Sequence, residues 1–135
     1  MINRNMIDLE IKGDHRGSLV ALEENLEVPF KIKRVFYIFD TQNNVIRGEH
    51  AHLKTRQFLI PVSGRCTVEL YDGINTKVYD LDRPDIGLFQ DAMVWGKMYN
   101  FSNDCVLLVL ADRLYEESDY IRQLSLFENK LNNYN

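Results

Sequence analysis

The sequence is short of cysteine (2), proline (3), tryptophan (1) and histidine (3) over its 135 residues, and it carries no excess of positive charge. Each shortage excludes something. Cys66 and Cys105 sit singly inside apolar alternating runs, without the paired spacing of a zinc site, which predicts buried, reduced thiols rather than a disulfide framework or a metal knot. A net charge of -4 offers no broad positive face to release counterions from a polyanion, so nucleic acid is not an expected partner. No apolar run approaches the length of a bilayer span, and the opening MINRNMIDLE lacks the basic-then-apolar layout of a secretory signal. The expectation is a cytoplasmic protein with no membrane partner. The triplet Asn100-Phe101-Ser102 matches a glycosylation acceptor, but without a secretory route the match has no physical consequence.

What is present fits one folded unit. With 45% hydrophobic and 27% charged residues, the chain can bury one core and has no room for a second of similar size, so residues 1–135 are expected to form a single domain. The charge is uneven. Residues 31–65 hold seven basic side chains against two acidic ones, whereas residues 112–128 hold five acidic and two basic. A locally cationic region in an acidic chain suits a small anionic ligand such as a diphosphate, although a solvated strand face would read the same way.

From residue 7 to about 111 the chain alternates apolar and polar residues in short runs, the period of a strand with one face buried. Candidate strands are 7–12, 18–22, 32–39, 45–52, 57–62, 66–71, 77–81, 86–90, 93–99 and 106–111. Turn chemistry separates them at Gly13-Asp14, Gln42-Asn43-Asn44, Ser63-Gly64, Asp72-Gly73 and Asp82-Arg83-Pro84-Asp85. Many short strands with no helix between them predict an antiparallel sandwich or small barrel. Beyond residue 111 the apolar positions Tyr120, Ile121, Leu124, Phe127 and Leu131 recur at helical spacing, and Ser125 with Glu128 resembles a capping box. Residues 112–135 are therefore expected to be a short helical tail laid against an all-β body.

The segment richest in chemistry is Arg47-Gly48-Glu49-His50-Ala51-His52, followed by Gln57 and Gly64. Residues two apart on a strand face the same way, so His50 and His52 are expected to project into one space. The run matches the skeleton of a cupin metal site, H-x-H-x(3,4)-E-x6-G with a later histidine. However, Gln57 stands at the glutamate position and Gly96 at the position of the third histidine. Two imidazoles alone leave a divalent ion short of ligands, and an amide is a poor replacement for a carboxylate. The reading is a cupin cavity with no metal and two free imidazoles, which titrate close to neutral pH and so suit proton transfer.

These residues resemble the sugar 3,4-ketoisomerases of dTDP-sugar biosynthesis, which share the motif R-G-x-H-A-H-x4-Q. The likeness extends over nearly the whole chain, through Asp14-His15-Arg16-Gly17-Ser18-Leu19, Lys33-Arg34-Val35-Phe36-Tyr37-Ile38, Met93-Val94-Trp95, Tyr99-Asn100-Phe101-Ser102, residues 106–111 and residues 115–122. Gly96 and Lys97 depart from it. The resemblance implies a cupin jelly-roll β-barrel and a homodimer that can exchange N-terminal strands. It also implies metal-independent action, without a cofactor, on dTDP-4-keto-6-deoxyglucose, ahead of an aminotransferase.

On this reading one of His50 and His52 removes the acidic hydrogen at C3 and the other moves a proton between O3 and O4. Tyr37 and Arg47 are the candidates to stabilise charge developing on O4. Arg16 is expected near the diphosphate or sugar, unless it is a plain turn arginine. Trp95 and Tyr99 either stack on the sugar or thymine or fill the core, and Gln57 either bonds the sugar or orients His52. Two other readings stay open: a metal-dependent cupin enzyme using Glu49 or Glu69 as an extra ligand, and a non-catalytic cupin that binds a nucleotide sugar. A 3,5-epimerase resembles the motif set less.

Overall fold

The computed structural model describes residues 5–133. Its strands are β1 (Met6–Asp8), β2 (Lys12–Asp14), β3 (Gly17–Leu19), β4 (Arg34–Ile38), β5 (Arg47–His52), β6 (Gln57–Ser63), β7 (Cys66–Tyr71), β8 (Thr76–Leu81), β9 (Ile86–Gln90), β10 (Trp95–Tyr99), β11 (Val106–Ala111) and β12 (Tyr120–Ile121). A 3-10 turn at Glu117–Asp119 precedes β12, and one helix, α1 (Leu124–Asn133), follows it. Two five-stranded sheets form, in the orders β1-β9-β6-β11-β4 and β12-β5-β10-β7-β8, and β2 pairs with β3 as a separate hairpin. Every strand pair in the two sheets is antiparallel.

The packing explains the sequence pattern strand by strand. Leu59, Leu88, Leu107 and Val109 of the first sheet meet Cys66, Val68 and Leu70 of the second in the central core. The outer face of the first sheet is covered by the N-terminal segment, where Leu9, Val28 and Phe30 pack on Phe58, Ile60 and Leu110. That second layer is why β6 reads as a nearly continuous apolar run rather than an alternating one: both of its faces are buried. Phe127 of α1 covers Ala51 and Ile121 on the outer face of the second sheet.

The architecture is thus an all-β sandwich of cupin-like form with a C-terminal helix. The expected barrel is not closed by backbone pairing among the described residues, because no strand joins the two sheets. Three local expectations are corrected. Residues 7–12 do not form one strand: β1 pairs with β9, and the chain then turns away into the exposed β2–β3 hairpin. Tyr120 and Ile121 are strand, not helix, because the free edge of β5 offers backbone partners at His52 and Ala51. Ser125 lies inside α1 rather than at its cap, and Glu128 instead accepts a 2.7 Å hydrogen bond from the Tyr71 hydroxyl. The last two residues of the expected tail lie outside the described residues.

Candidate active site

β5 carries the histidines, and a bulge aims them. Gly96 of β10 faces His50 while the next residue, Lys97, faces Gly48, so Glu49 is the extra residue. Gly48 (φ 84°) and Glu49 (φ 56°) both take the left-handed backbone that the bulge demands. A side chain at Gly48 would also come within 3.0 Å of the Gly96 carbonyl oxygen, so the R-G-x-H glycine is fixed by space as well as by conformation.

Beyond the bulge, the rings of His50 and His52 lie 5.0 Å apart, nearly perpendicular. Both face the interior, since His50 is opposite Gly96, whose strand neighbour Met98 packs on the central core. Tyr120, paired with His52 across the strand edge, touches both imidazoles, at 5.1 Å from His50 and 4.4 Å from His52. Behind it the Arg122 guanidinium lies 4.4 Å over the Tyr120 ring and bonds Glu117, which also accepts a bond from Tyr115. Arg34 stacks on Phe36 and Tyr115 at 4.6 and 5.1 Å.

Electrostatics keep both histidines neutral. Burial, the neighbouring His50 and the Arg34 and Arg122 guanidiniums lower the His52 pKa to about 4, against the pull of Asp119. His50 is lowered chiefly by burial and also by Arg122, with the Gly48 carbonyl and Glu117 opposing. His50 Nδ1 and His52 Nε2 are sealed from solvent and have no hydrogen-bond partner among the described residues. Two neutral imidazoles side by side, each with an unused nitrogen, can take up and hand on protons.

The donors around them do not fit a metal ion. Glu49 is exposed in the bulge, Glu69 bonds Tyr99 and Lys97 on the other face of the sheet, and Gly96 has no side chain to offer. Among the described residues no cluster of three or more His, Cys, Asp or Glu side chains is placed to hold one.

Comparison with known proteins gives the family. The family model described as FdtA, WxcM-like C-terminal, matches residues 2–132. The chain belongs to this family of TDP-sugar 3,4-ketoisomerases. It is 51% identical over 115 residues to the TDP-4-oxo-6-deoxy-alpha-D-glucose-3,4-oxoisomerase of Aneurinibacillus thermoaerophilus, spanning 85% of this chain and 83% of that one. It matches the crystal structure of a 3,4-ketoisomerase from Helicobacter canadensis with TM-score 0.92 and 46% identity, covering 94% of this chain and 96% of the other. A histidine-to-asparagine mutant of the 3,4-ketoisomerase QdtA from Thermoanaerobacterium thermosaccharolyticum, in complex with TDP-4-keto-6-deoxyglucose, matches with TM-score 0.91 and 34% identity over 96% of this chain and 95% of that chain.

Within one chain of this ketoisomerase, the structure gathers some of the sequence-predicted residues and not others. His50, His52 and Gln57 face the interior. Tyr37 does not: on β4 the half-buried Arg34, Phe36 and Ile38 point inward, which turns Tyr37 outward, 61% exposed beside Phe39. Trp95 and Tyr99 are also on the wrong face for the histidines. The period of β10 directs Gly96 and Met98 inward, so Trp95 packs on Phe127 of α1 and Tyr99 bonds Glu69 at 2.6 Å. Arg16 tips the β2–β3 hairpin, where Asp14 pairs with it at 2.6 Å and is itself held below the usual carboxylate range by that contact. Arg47 is exposed at the start of β5, opposite Met98.

Sequence reasoning passed over Tyr120, Arg122 and Arg34 as site residues. All three lie in segments that carry the family likeness, 33–38 and 115–122, but the helical period suggested by Tyr120 and Ile121 hid the strand that brings Tyr120 to His52.

The lowered pKa of His52 has a measurable consequence. Below pH 6.5 the unfolded chain binds a proton that folded His52 refuses until about pH 4, so stability tied to the neutral ring is present in full above 6.5 and is lost as pH falls towards 4. Urea midpoints of the wild type are expected to fall more steeply across that window than those of His52→Asn. Parallel pH curves for the two proteins would remove this account.

Proposed function

We propose that the protein moves the keto group of a TDP-linked 4-keto-6-deoxyhexose from C4 to C3, with His50 and His52 as the acid–base pair and no metal. The observation that carries this reading is the pair of neutral imidazoles 5.0 Å apart with unpartnered nitrogens facing one interior. The C3 hydrogen is acidified by the adjacent carbonyl. His50 takes it as a base, giving an enediolate. His52 receives the O3 proton on one nitrogen and returns a proton to O4 from the other, and protonation at C4 then leaves the ketone at C3. The charge that builds on oxygen is met by cationic groups already in position, Arg34 and Arg122, both of which bias His52. Arg47 and Gln57 are proposed as substrate contacts, and Arg16 as a contact for the diphosphate or sugar.

The proposal extends to a jelly-roll barrel, a cytoplasmic location and a homodimer with exchanged N-terminal strands. In its support, Cys66 and Cys105 are free and buried, and no helix among the described residues is long and apolar enough to cross a membrane. Supporting a dimer, β1 is a three-residue edge strand, the hairpin after it is exposed throughout, and Val35 and Tyr37 of β4 form, with Phe39 just beyond it, an uncovered apolar stripe. Sedimentation of a monomer at micromolar concentration would overturn the dimer.

The test of the activity is incubation with TDP-4-keto-6-deoxyglucose in deuterated water, with and without chelator, followed by NMR of the sugar. A 3-keto product deuterated at C4 and unaffected by chelator is expected. Unchanged sugar would sink the reading, and activity that chelator abolishes would favour a metal-dependent enzyme.

A further inference from the structure

We propose that Gln90 is a substrate-binding residue of the histidine site, its carboxamide standing over Gly96 and hydrogen-bonding the hexose beside the carbons that exchange the keto group. The inference rests on the isomerase reading and names a contact within that same site.

β9 sends Ile86, Leu88 and Gln90 to the interior; the first two join the central core, whereas the third is an amide only 5% exposed. A buried amide is costly unless its donors and acceptor are bonded. Gln90 makes one such bond, from Nε2 to the Val94 carbonyl at 3.2 Å, which leaves a second N–H and the Oε1 lone pairs unused. Directly opposite on β6, Gln57 is equally buried as a residue; its amide makes no side-chain hydrogen bond among the described residues and is not one of the polar atoms sealed from solvent, so it keeps an open approach on the interior side. Two adjacent amides with unmet capacity on the interior face are most simply understood as groups reserved for a ligand or its displaced water.

Gly96 fixes where the Gln90 amide goes. A β-carbon at Gly96 would lie 2.6 Å from Nε2 and 3.2 Å from Oε1, so the amide occupies the space that any side chain there would fill. Gly96 is the partner of His50 across the sheet, which puts this amide about one strand spacing, roughly 5 Å, from the strand of the proposed base. The chemistry also suits the reaction. An amide can donate to a carbonyl and accept from a hydroxyl without net charge, so it can hold the hexose before and after the ketone changes place and leave the neutral histidines undisturbed. Such a contact is made equally in substrate and product, and its loss therefore appears in KM more than in kcat.

The test compares Gln90→Met, which keeps the volume and removes the amide, with Gly96→Ala, which keeps the amide and displaces it. The clash in Gly96→Ala is with the flexible end of one side chain, so that variant is expected to fold even if Gln90→Met does not. In both, KM for TDP-4-keto-6-deoxyglucose is expected to rise roughly tenfold or more with kcat changed less than threefold, and the Kd for TDP alone, which lacks the hexose, to stay within twofold. The Kd for the keto sugar should weaken in step with KM. Values of KM and keto-sugar Kd within twofold of wild type overturn the assignment, as does an equal loss of affinity for TDP alone, which would mark a structural role. A wild type that binds the keto sugar without isomerising it removes the isomerase reading instead, and the keto-sugar and TDP affinities then still decide the place of Gln90.

Discussion

Replacing His50 with asparagine is expected to lower kcat by roughly two to four orders of magnitude, the range over which a positioned general base acts, while the nucleotide sugar still binds. Asparagine keeps a polar planar group in the interior and removes only the basic nitrogen. The same change at His52 is expected to be as damaging to product formation but to differ in isotope exchange. If His50 is the C3 base, His50→Asn loses exchange of the C3 hydrogen with solvent, whereas His52→Asn retains some exchange without forming the 3-keto sugar. The reverse pattern exchanges the two roles. Turnover above a tenth of wild type in both variants would end the proposal that this pair performs the chemistry. The QdtA relative with a single histidine-to-asparagine change was crystallised holding TDP-4-keto-6-deoxyglucose.

The second large effect is expected at Asp119, which meets no reacting atom but stands directly before Tyr120. Its buried carboxylate accepts bonds from the backbone N–H groups of Lys54 and Thr55, at 2.8 and 3.2 Å, and from the Thr55 hydroxyl at 2.5 Å, while its own carbonyl accepts from Leu53 N–H at 2.9 Å. One residue thus ties the loop after the histidine strand to the segment that delivers Tyr120. Asp119→Ala strands several buried donors at once, and bonds to a charged acceptor are worth more than neutral ones, so a loss of about 3 kcal/mol of stability is expected. Activity should fall as well, because Tyr120 loses the anchor that sets it against both imidazoles. Denaturant unfolding together with kcat/KM checks both, and an Asp119→Ala protein with wild-type midpoint and turnover would show that the anchor is unnecessary. Thr55→Val, which removes one of the donors, should give a smaller loss in the same direction.

Much of the fold was legible because the alternating pattern is strong wherever one face is dry: the bounds of β7, β9 and β11 coincide with those read from the sequence. The histidine pair was legible for the same reason, as period two puts His50 and His52 on one side. The errors have physical causes too. Inward or outward direction cannot be read for an aromatic on a strand whose two faces are both apolar, so the sequence leaves Trp95, which packs under a helix, open between ligand and core, and puts Tyr37, which lies on an exposed face, beside O4. Tyr120 was hidden because a two-residue strand is defined by the edge it joins, not by its own composition. Gln90 was readable in principle, as the lone amide following Ile86 and Leu88 at the same parity, but its neighbour across the interior was not.

The extra residue on β5 reaches further than the ring it aims. Counted along the chain, Arg47 has the parity of Ala51 and in an unbroken strand would share that residue's side, under α1. Because Glu49 is spent outside the ladder, Arg47 instead lines up with Met98 and comes round to the wall that bears His50. The spacing R-G-x-H is therefore an odd interval made even by one looped-out residue, and deleting Glu49 would leave an unbroken strand that keeps the guanidinium and both imidazoles on one side of the sheet, whereas inserting one further residue there would carry the guanidinium to the other.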